Sequence, residues 1–123
     1  MASTNHFAEF SFFFTKGQSL EEYHDEVFER LDKMCSYSLE NGIWCCHENE
    51  KDIYGDTAEY CLDIYKTFKG KIKGVFDPAN FIQCGVEIIP AYEMLEEYIE
   101  YMHVKDCVFE TGKVVPAGKG DGQ

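Results

Sequence analysis

The stretch 71-KIKGVFDPANFIQCG-85 runs a hydrophobic segment up to an aspartate and sets a proline directly behind it. A proline pushes the residue before it out of the helical region into extended geometry. Asp77 is therefore expected at the very end of a strand spanning 72–77. Its carboxylate would be aimed off the strand's C-terminal end. That placement gives up sheet pairing, so it is useful chiefly where the carboxylate has chemistry to perform.

Working outward, the neighbouring segments alternate in type. Phe7 to Phe14 (FAEFSFFF) is short, aromatic and closed by Lys16-Gly17, as a strand would be. Ser19 and Glu22 read as a capping box. Leu20, Tyr23, Val27, Leu31, Met34 and Leu39 then follow at helical steps, mostly three and four. Asn41-Gly42 ends that helix. Ile43 to Glu48 (IWCCHE) is a second apolar run, broken abruptly by HENE. Asp56 and Glu59 cap the next helix, with Cys61, Ile64, Tyr65 and Phe68 on its inner face and Gly70 at its end. After the strand at 72–77, Pro90 suits the first turn of a third helix. Tyr92, Leu95, Ile99 and Met102 continue at helical spacing. A fourth strand falls at Met102 to Lys105, with Tyr98 to Met102 ambiguous between helix and strand. From Thr111 onward the chain is glycine-rich and reads as loop.

The order β-α-β-α-β-α-β implies about four parallel strands joined by helical crossovers, an α/β architecture. Functional groups in such folds gather at the C-terminal ends of the strands. Three of these ends carry metal-type residues, namely His47-Glu48-Asn49-Glu50, Asp77, and His103-Val104-Lys105-Asp106. Two carboxylates and an imidazole from different strand ends suit a divalent cation such as Mn²⁺, Mg²⁺, Co²⁺ or Zn²⁺. Each residue has a plainer explanation when taken singly. A strand-end aspartate often caps a helix, and a lone histidine is often packed or solvated. The coincidence across successive units is what raises the metal reading.

Composition bounds the alternatives. The 123 residues suffice for one domain with a real core. With 45% hydrophobic and 15% aromatic content, the chain is globular. No apolar run reaches the roughly 18 residues of a membrane span, so no membrane partner is expected. The net charge of −12 and the lack of a basic stripe argue against nucleic acid. The opening MASTNHFAEF has no signal-peptide pattern, which suggests a cytoplasmic protein. Its six cysteines then read as reduced core residues. Cys45-Cys46-His47 is a poor zinc site, because adjacent strand residues point to opposite faces. Gly118-Lys119-Gly120-Asp121-Gly122 would suit a phosphate or, more simply, a flexible turn, and it lacks the P-loop spacing. His24 reads as a boundary residue and His6 as part of a frayed terminus. Phe10, Phe12, Phe13 and Phe14 read as core.

The segments HENEKDIYGDTAE, VFDPANFIQCG, YIEYMHVKD and VVPAGKGDG together resemble the sugar phosphate isomerase/epimerase proteins of the xylose isomerase-like superfamily. The resemblance runs from about Phe10 to Gln123. It implies a partial (β/α)8 TIM barrel forming a single domain over 1–123, within which the sequence itself reads 1–6 as disordered and 111–123 as loop. It further implies one divalent metal held by Glu48, Asp77 and His103, with Glu48 doubling as acid/base. Asn80 stands where the family often has histidine and would contact a substrate hydroxyl or the metal's water. Lys105 would contact substrate oxygen. His47 is counted with the substrate-binding residues, and His47 and Glu50 are also expected to support the ligands.

The implied activity is metal-assisted proton transfer on a sugar or sugar phosphate through an enediolate. Dehydration and abasic-site cleavage are neighbouring alternatives, and a non-catalytic half-barrel or interaction module is the bland one. A full barrel takes ~250 residues, so the resemblance covers only about the fourth to seventh βα units. It stops before the strand that bears the family's fourth ligand, a glutamate, which suggests a truncated reading frame or a fragment. Bare sheet edges and a water-exposed barrel face are then expected. Self-association or a complementary fragment would cover them; otherwise the chain is only marginally folded.

Overall fold

A computed structural model of the chain describes residues 6–9, 13, 17 and 19–122. Four strands form one sheet: β1 (His6–Glu9), β2 (Trp44–Glu48), β3 (Ile72–Phe76) and β4 (Ile99–Met102). They lie in sequence order, and every neighbouring pair is parallel. Between them run α1 (His24–Glu40), α2 (Ala58–Thr67), α3 (Pro78–Gln83) and α4 (Ile88–Leu95). A short antiparallel hairpin, β5 (Asp106–Val108) and β6 (Lys113–Val115), follows. The fold is α/β, a part of a (β/α)8 barrel.

The core lies between the sheet and its helices. Val27, Phe28, Leu31 and Cys35 of α1 and Cys61, Ile64 and Tyr65 of α2 pack with Cys45, Ile72 and Phe76 of the strands. The buried stripe of α1 therefore passes through Phe28 and Cys35; Met34, expected on it, is 36% exposed. No disulfide links the six cysteines, and all but Cys84 are buried. Burial, aided by the Asp56 charge, pushes the thiol of Cys61 well up, so it behaves as a small apolar residue.

Several local expectations are corrected. Ser19 does not cap α1; its hydroxyl donates to Glu21 at 2.6 Å, ahead of a 3-10 turn at Glu21–Tyr23. Thr57, and neither Asp56 nor Glu59, caps α2 by accepting from the Tyr60 amide. At the end of α1, Gly42 adopts φ +72°. This lets Gly42 and Ile43 donate to the Leu39 and Ser38 carbonyls at 3.0 and 2.9 Å. Strand β4 spans 99–102, three residues earlier than expected, so His103 and Lys105 stand beyond it. Helix α3 was not foreseen.

The tail is not simply loop. Asp106, 3% exposed, anchors it. Its carboxylate accepts from the amides of Cys107, Gly120 and Gly122 at 2.8, 2.8 and 2.9 Å. A side chain at Gly120 would lie 2.4 Å from the Cys107 carbonyl, and one at Gly122 2.7 Å from Asp106 Oδ1. The loop read as suiting a phosphate or a flexible turn is thus closed on an internal carboxylate. Phe13 is 66% exposed rather than core and forms one bridge to Ile53, while Phe10, Phe12 and Phe14 lie outside the described residues.

Candidate metal centre

Glu48, Asp77 and His103 meet at the C-terminal end of the sheet. Glu48 is the last residue of β2, Asp77 follows β3 directly, and His103 follows β4. One ligand atom from each lies within 4.8 Å of the others. Parallel pairing aligns the three strand ends. Glu48 is paired with Val75, and the His103 amide continues the ladder by donating to the Phe76 carbonyl at 3.1 Å.

Asp77 serves two purposes. Its extended backbone (φ −115°, ψ 101°) is the geometry a following proline favours. Oδ1 caps α3 by accepting from the Asn80 amide at 3.2 Å. Oδ2 is buried, has no hydrogen bond, and faces the Lys105 ammonium at 3.0 Å. The plain reading, a helix cap, and the functional one therefore apply to different oxygens of the same carboxylate.

Glu48 is 3% exposed. Burial raises its carboxyl above the ordinary range, and the His103 imidazole, 2.9 Å away, pulls in the opposite direction. The His103 side chain is 44% exposed, so this member of the group faces solvent. Asn80 sits below them. Its side-chain amide donates to the Asn49 carbonyl at 2.9 Å and makes longer contacts of 3.4 Å to Glu48 Oε1 and Glu50 Oε2.

A divalent cation fits this donor set. Two carboxylates and an imidazole are oxygen-rich ligands for a hard or borderline ion. A buried carboxylate oxygen without a hydrogen bond is the feature such an ion would satisfy. Lys105 supplies part of that positive charge itself.

His47 does not belong to the group. It alternates with Glu48 on β2 and lies on the helix side of the sheet, fully buried. Its ring packs edge-on against Tyr65, 6.0 Å between centroids, and so close to Gly55 that a side chain there would lie 2.4 Å from its Cε1. Burial holds the imidazole neutral, lowering its pKa to about 4 against a smaller upward pull from the Tyr54 backbone. Strand alternation sets His47 on the face opposite the Glu48 carboxylate. On the barrel face Cys46, Glu48 and Val75 are buried, whereas Trp44, Lys73 and Tyr101 are partly exposed.

Sequence reasoning missed Asn49, which is 1% exposed. Its side-chain amide donates to the Asp77 carbonyl and accepts from the Asp77 amide, both at 2.8 Å. Polar residues after a strand normally read as turn, so no signal separated it from Glu50.

No family model and no curated protein matches the sequence. Solved structures do match. One is the probable 3-DHS dehydratase AsbF, involved in petrobactin synthesis, from Bacillus anthracis. It is 15% identical with a TM-score of 0.83, over 98% of this chain and 50% of that one. Another is a D-tagatose 3-epimerase-like protein, 18% identical with a TM-score of 0.80, over 94% and 46%. A third is a xylose isomerase-like TIM barrel protein from Mycobacterium smegmatis, solved in complex with magnesium. It is 18% identical with a TM-score of 0.60, over 85% and 37%. The chain spans half the length, or less, of the structures it matches. What it shares with them at these identities is the fold, part of a TIM barrel.

Proposed function

We propose that the site acts on a small carbohydrate, moving a proton between neighbouring carbons as sugar isomerases and epimerases do. The carrying observation is the meeting of Glu48, Asp77 and His103, within 4.8 Å, at the C-terminal end of a parallel sheet. Those three residues would hold a divalent cation, which when bound polarises a carbonyl and the hydroxyl beside it. Glu48 is the proton carrier. Its carboxyl, raised by burial, is better suited to accept and return a proton than an ordinary surface glutamate. Lys105 and Asn80 border the group and are assigned to substrate oxygens. We also propose that a second copy, or a complementary fragment, covers the edges of β1 and β4, which pair with no further strand among the described residues.

Metal-dependent dehydration is a second reading on the same residues, favoured by the likeness to the probable dehydratase. Abasic-site cleavage is disfavoured by the net charge of −12.

Calorimetric titration with Mn²⁺ tests the metal, using the wild-type chain and Asp77→Ala. Binding by the first that is lost in the second is expected; no binding by the wild type would overturn the metal reading. Incubating the Mn²⁺-loaded chain with ketoses in D₂O then tests the chemistry. Deuterium entering beside the carbonyl supports isomerisation or epimerisation, whereas net loss of water from a hydroxy acid would mark a dehydratase.

A further inference from the structure

We infer that Asn49 is a positioning residue, whose side chain sets where the Asp77 carboxylate stands; the inference rests on the metal-site reading above. Regular pairing between β2 and β3 reaches Glu48 and Val75. The chain then leaves the ladder. A primary amide carries the same donor and acceptor as a peptide group. The Asn49 side chain uses both on one residue 28 positions away, accepting from the Asp77 N–H and donating to the Asp77 C=O, each at 2.8 Å. It thereby supplies one more rung beyond the end of the strands.

Two further bonds close the arrangement. The Asn80 amide donates to Asp77 Oδ1 at 3.2 Å, and the Asn80 side chain donates to the Asn49 carbonyl at 2.9 Å. Asn49, Asp77 and Asn80 are thus tied pairwise, and all three are at most 2% exposed. With the Asp77 backbone gripped at both polar groups and Oδ1 held by the cap, only Oδ2 is left for the cluster. The Asn49 side chain makes no hydrogen bond to Glu48, His103 or Lys105 among the described residues. It acts through Asp77. Partners of this kind, one step removed from a metal ligand, typically change metal affinity 10–100-fold when replaced.

The test is Mn²⁺ titration of wild type, Asn49→Ala and Asn49→Asp at a temperature where circular dichroism shows each variant folded. Hydrogen exchange at the Asp77 amide is measured in parallel. Asn49→Ala is expected to weaken Mn²⁺ binding by about tenfold or more. Asn49→Asp keeps the acceptor and loses the donor, while its added negative charge alone would tighten cation binding. Weaker binding there reports geometry, and it decides the matter if Asn49→Ala does not fold. Affinity equal to or better than wild type in both variants overturns the inference. If the wild type binds no Mn²⁺, the metal reading fails by itself. Exchange then decides the positioning: at least tenfold faster exchange at Asp77 with Ile64 unchanged sustains it, and unchanged exchange at Asp77 overturns it.

Discussion

The Glu48 carboxylate and the His103 imidazole meet at 2.9 Å across 55 residues of chain. One partner is buried at a strand end and the other is half-exposed, with side-chain exposures of 4% and 44%. A buried carboxylate takes a partner where it can, because an unpaired buried charge is costly. The pair therefore represents a site satisfied by its own side chains, and a cation would have to compete for both groups.

That competition gives the first prediction. His103→Ala should still fold, since the ring is largely outside the core, but at lower stability, since buried Glu48 loses its partner. It should abolish the thermal stabilisation by Mn²⁺. A ligand that binds only the folded state at 100 times its Kd stabilises by about 2.7 kcal/mol. The wild-type melting temperature should rise on saturation, and that of His103→Ala should stay within error. An equal rise in both would remove His103 from the ligand set.

The second prediction concerns acid. The amides of Gly120 and Gly122 hold the Asp106 carboxyl below the usual carboxylate value, against a smaller upward push from burial. The unfolded value is about 3.9. Because the folded value is the lower one, the stability contributed by Asp106 is full above about pH 4 and is lost as pH falls through the folded value. Melting curves of wild type and Asp106→Asn should differ at pH 6 and converge toward pH 2. A gap that does not narrow with acid would mean the charge is not what closes the loop.

Much of this was legible in the sequence where a local rule and the tertiary structure agree. Asp77 is the example: its extended backbone follows from Pro78 alone, and a strand end is the only place such a residue keeps a buried hydrophobic run behind it. The inner face of α2 was read correctly because Cys61, Ile64, Tyr65 and Phe68 are all buried. Helix α3 was missed because six residues are too few for a period. Strand β4 was set too late because Ile99 and Met102 fit both a helical stripe and a strand. The hairpin was unreadable, since its order depends on a carboxylate meeting amides 14 and 16 residues away. His47 was misassigned by proximity, although strand alternation places it opposite Glu48.

The third prediction separates two kinds of glycine. Gly42 has open space around the missing side chain but a φ of +72°. Gly42→Ala should therefore cost only the left-handed backbone strain, about 1 kcal/mol. That corresponds to a few degrees in melting temperature. Gly120 has no positive φ and fails on space, its missing side chain lying 2.4 Å from a backbone oxygen. Gly120→Ala should shift the hairpin, visible as faster hydrogen exchange at Cys107 and Val108. Equal behaviour of the two variants would contradict the distinction.

Oligomeric state supplies the fourth. The sheet pairs β1 only with β2 and β4 only with β3 among the described residues, leaving two backbone edges. Unpaired edges recruit other strands. Light scattering after size exclusion should give a mass above the 14.2 kDa of one chain. A sharply melting monomer at 14.2 kDa would show that the edges are covered from within, and the proposal of a second copy or fragment would be withdrawn.

The last prediction uses Lys105 against the metal. Its ammonium stands 3.0 Å from Asp77 Oδ2, the oxygen that has no hydrogen bond. Two cations near one carboxylate repel, and the side chain's 36% exposure moderates the effect through solvent screening. Lys105→Met keeps much of the packing and removes the charge. Mn²⁺ binding should tighten, by about tenfold if the repulsion removed is near 1.4 kcal/mol. Any turnover of a sugar should fall in the same variant, because Lys105 is assigned to substrate oxygen. Opposite movement of affinity and turnover is the signature of a residue that competes with the metal yet serves the substrate. Weaker binding in Lys105→Met would instead mean that the ammonium holds Asp77 in place, and that its role is to build the site.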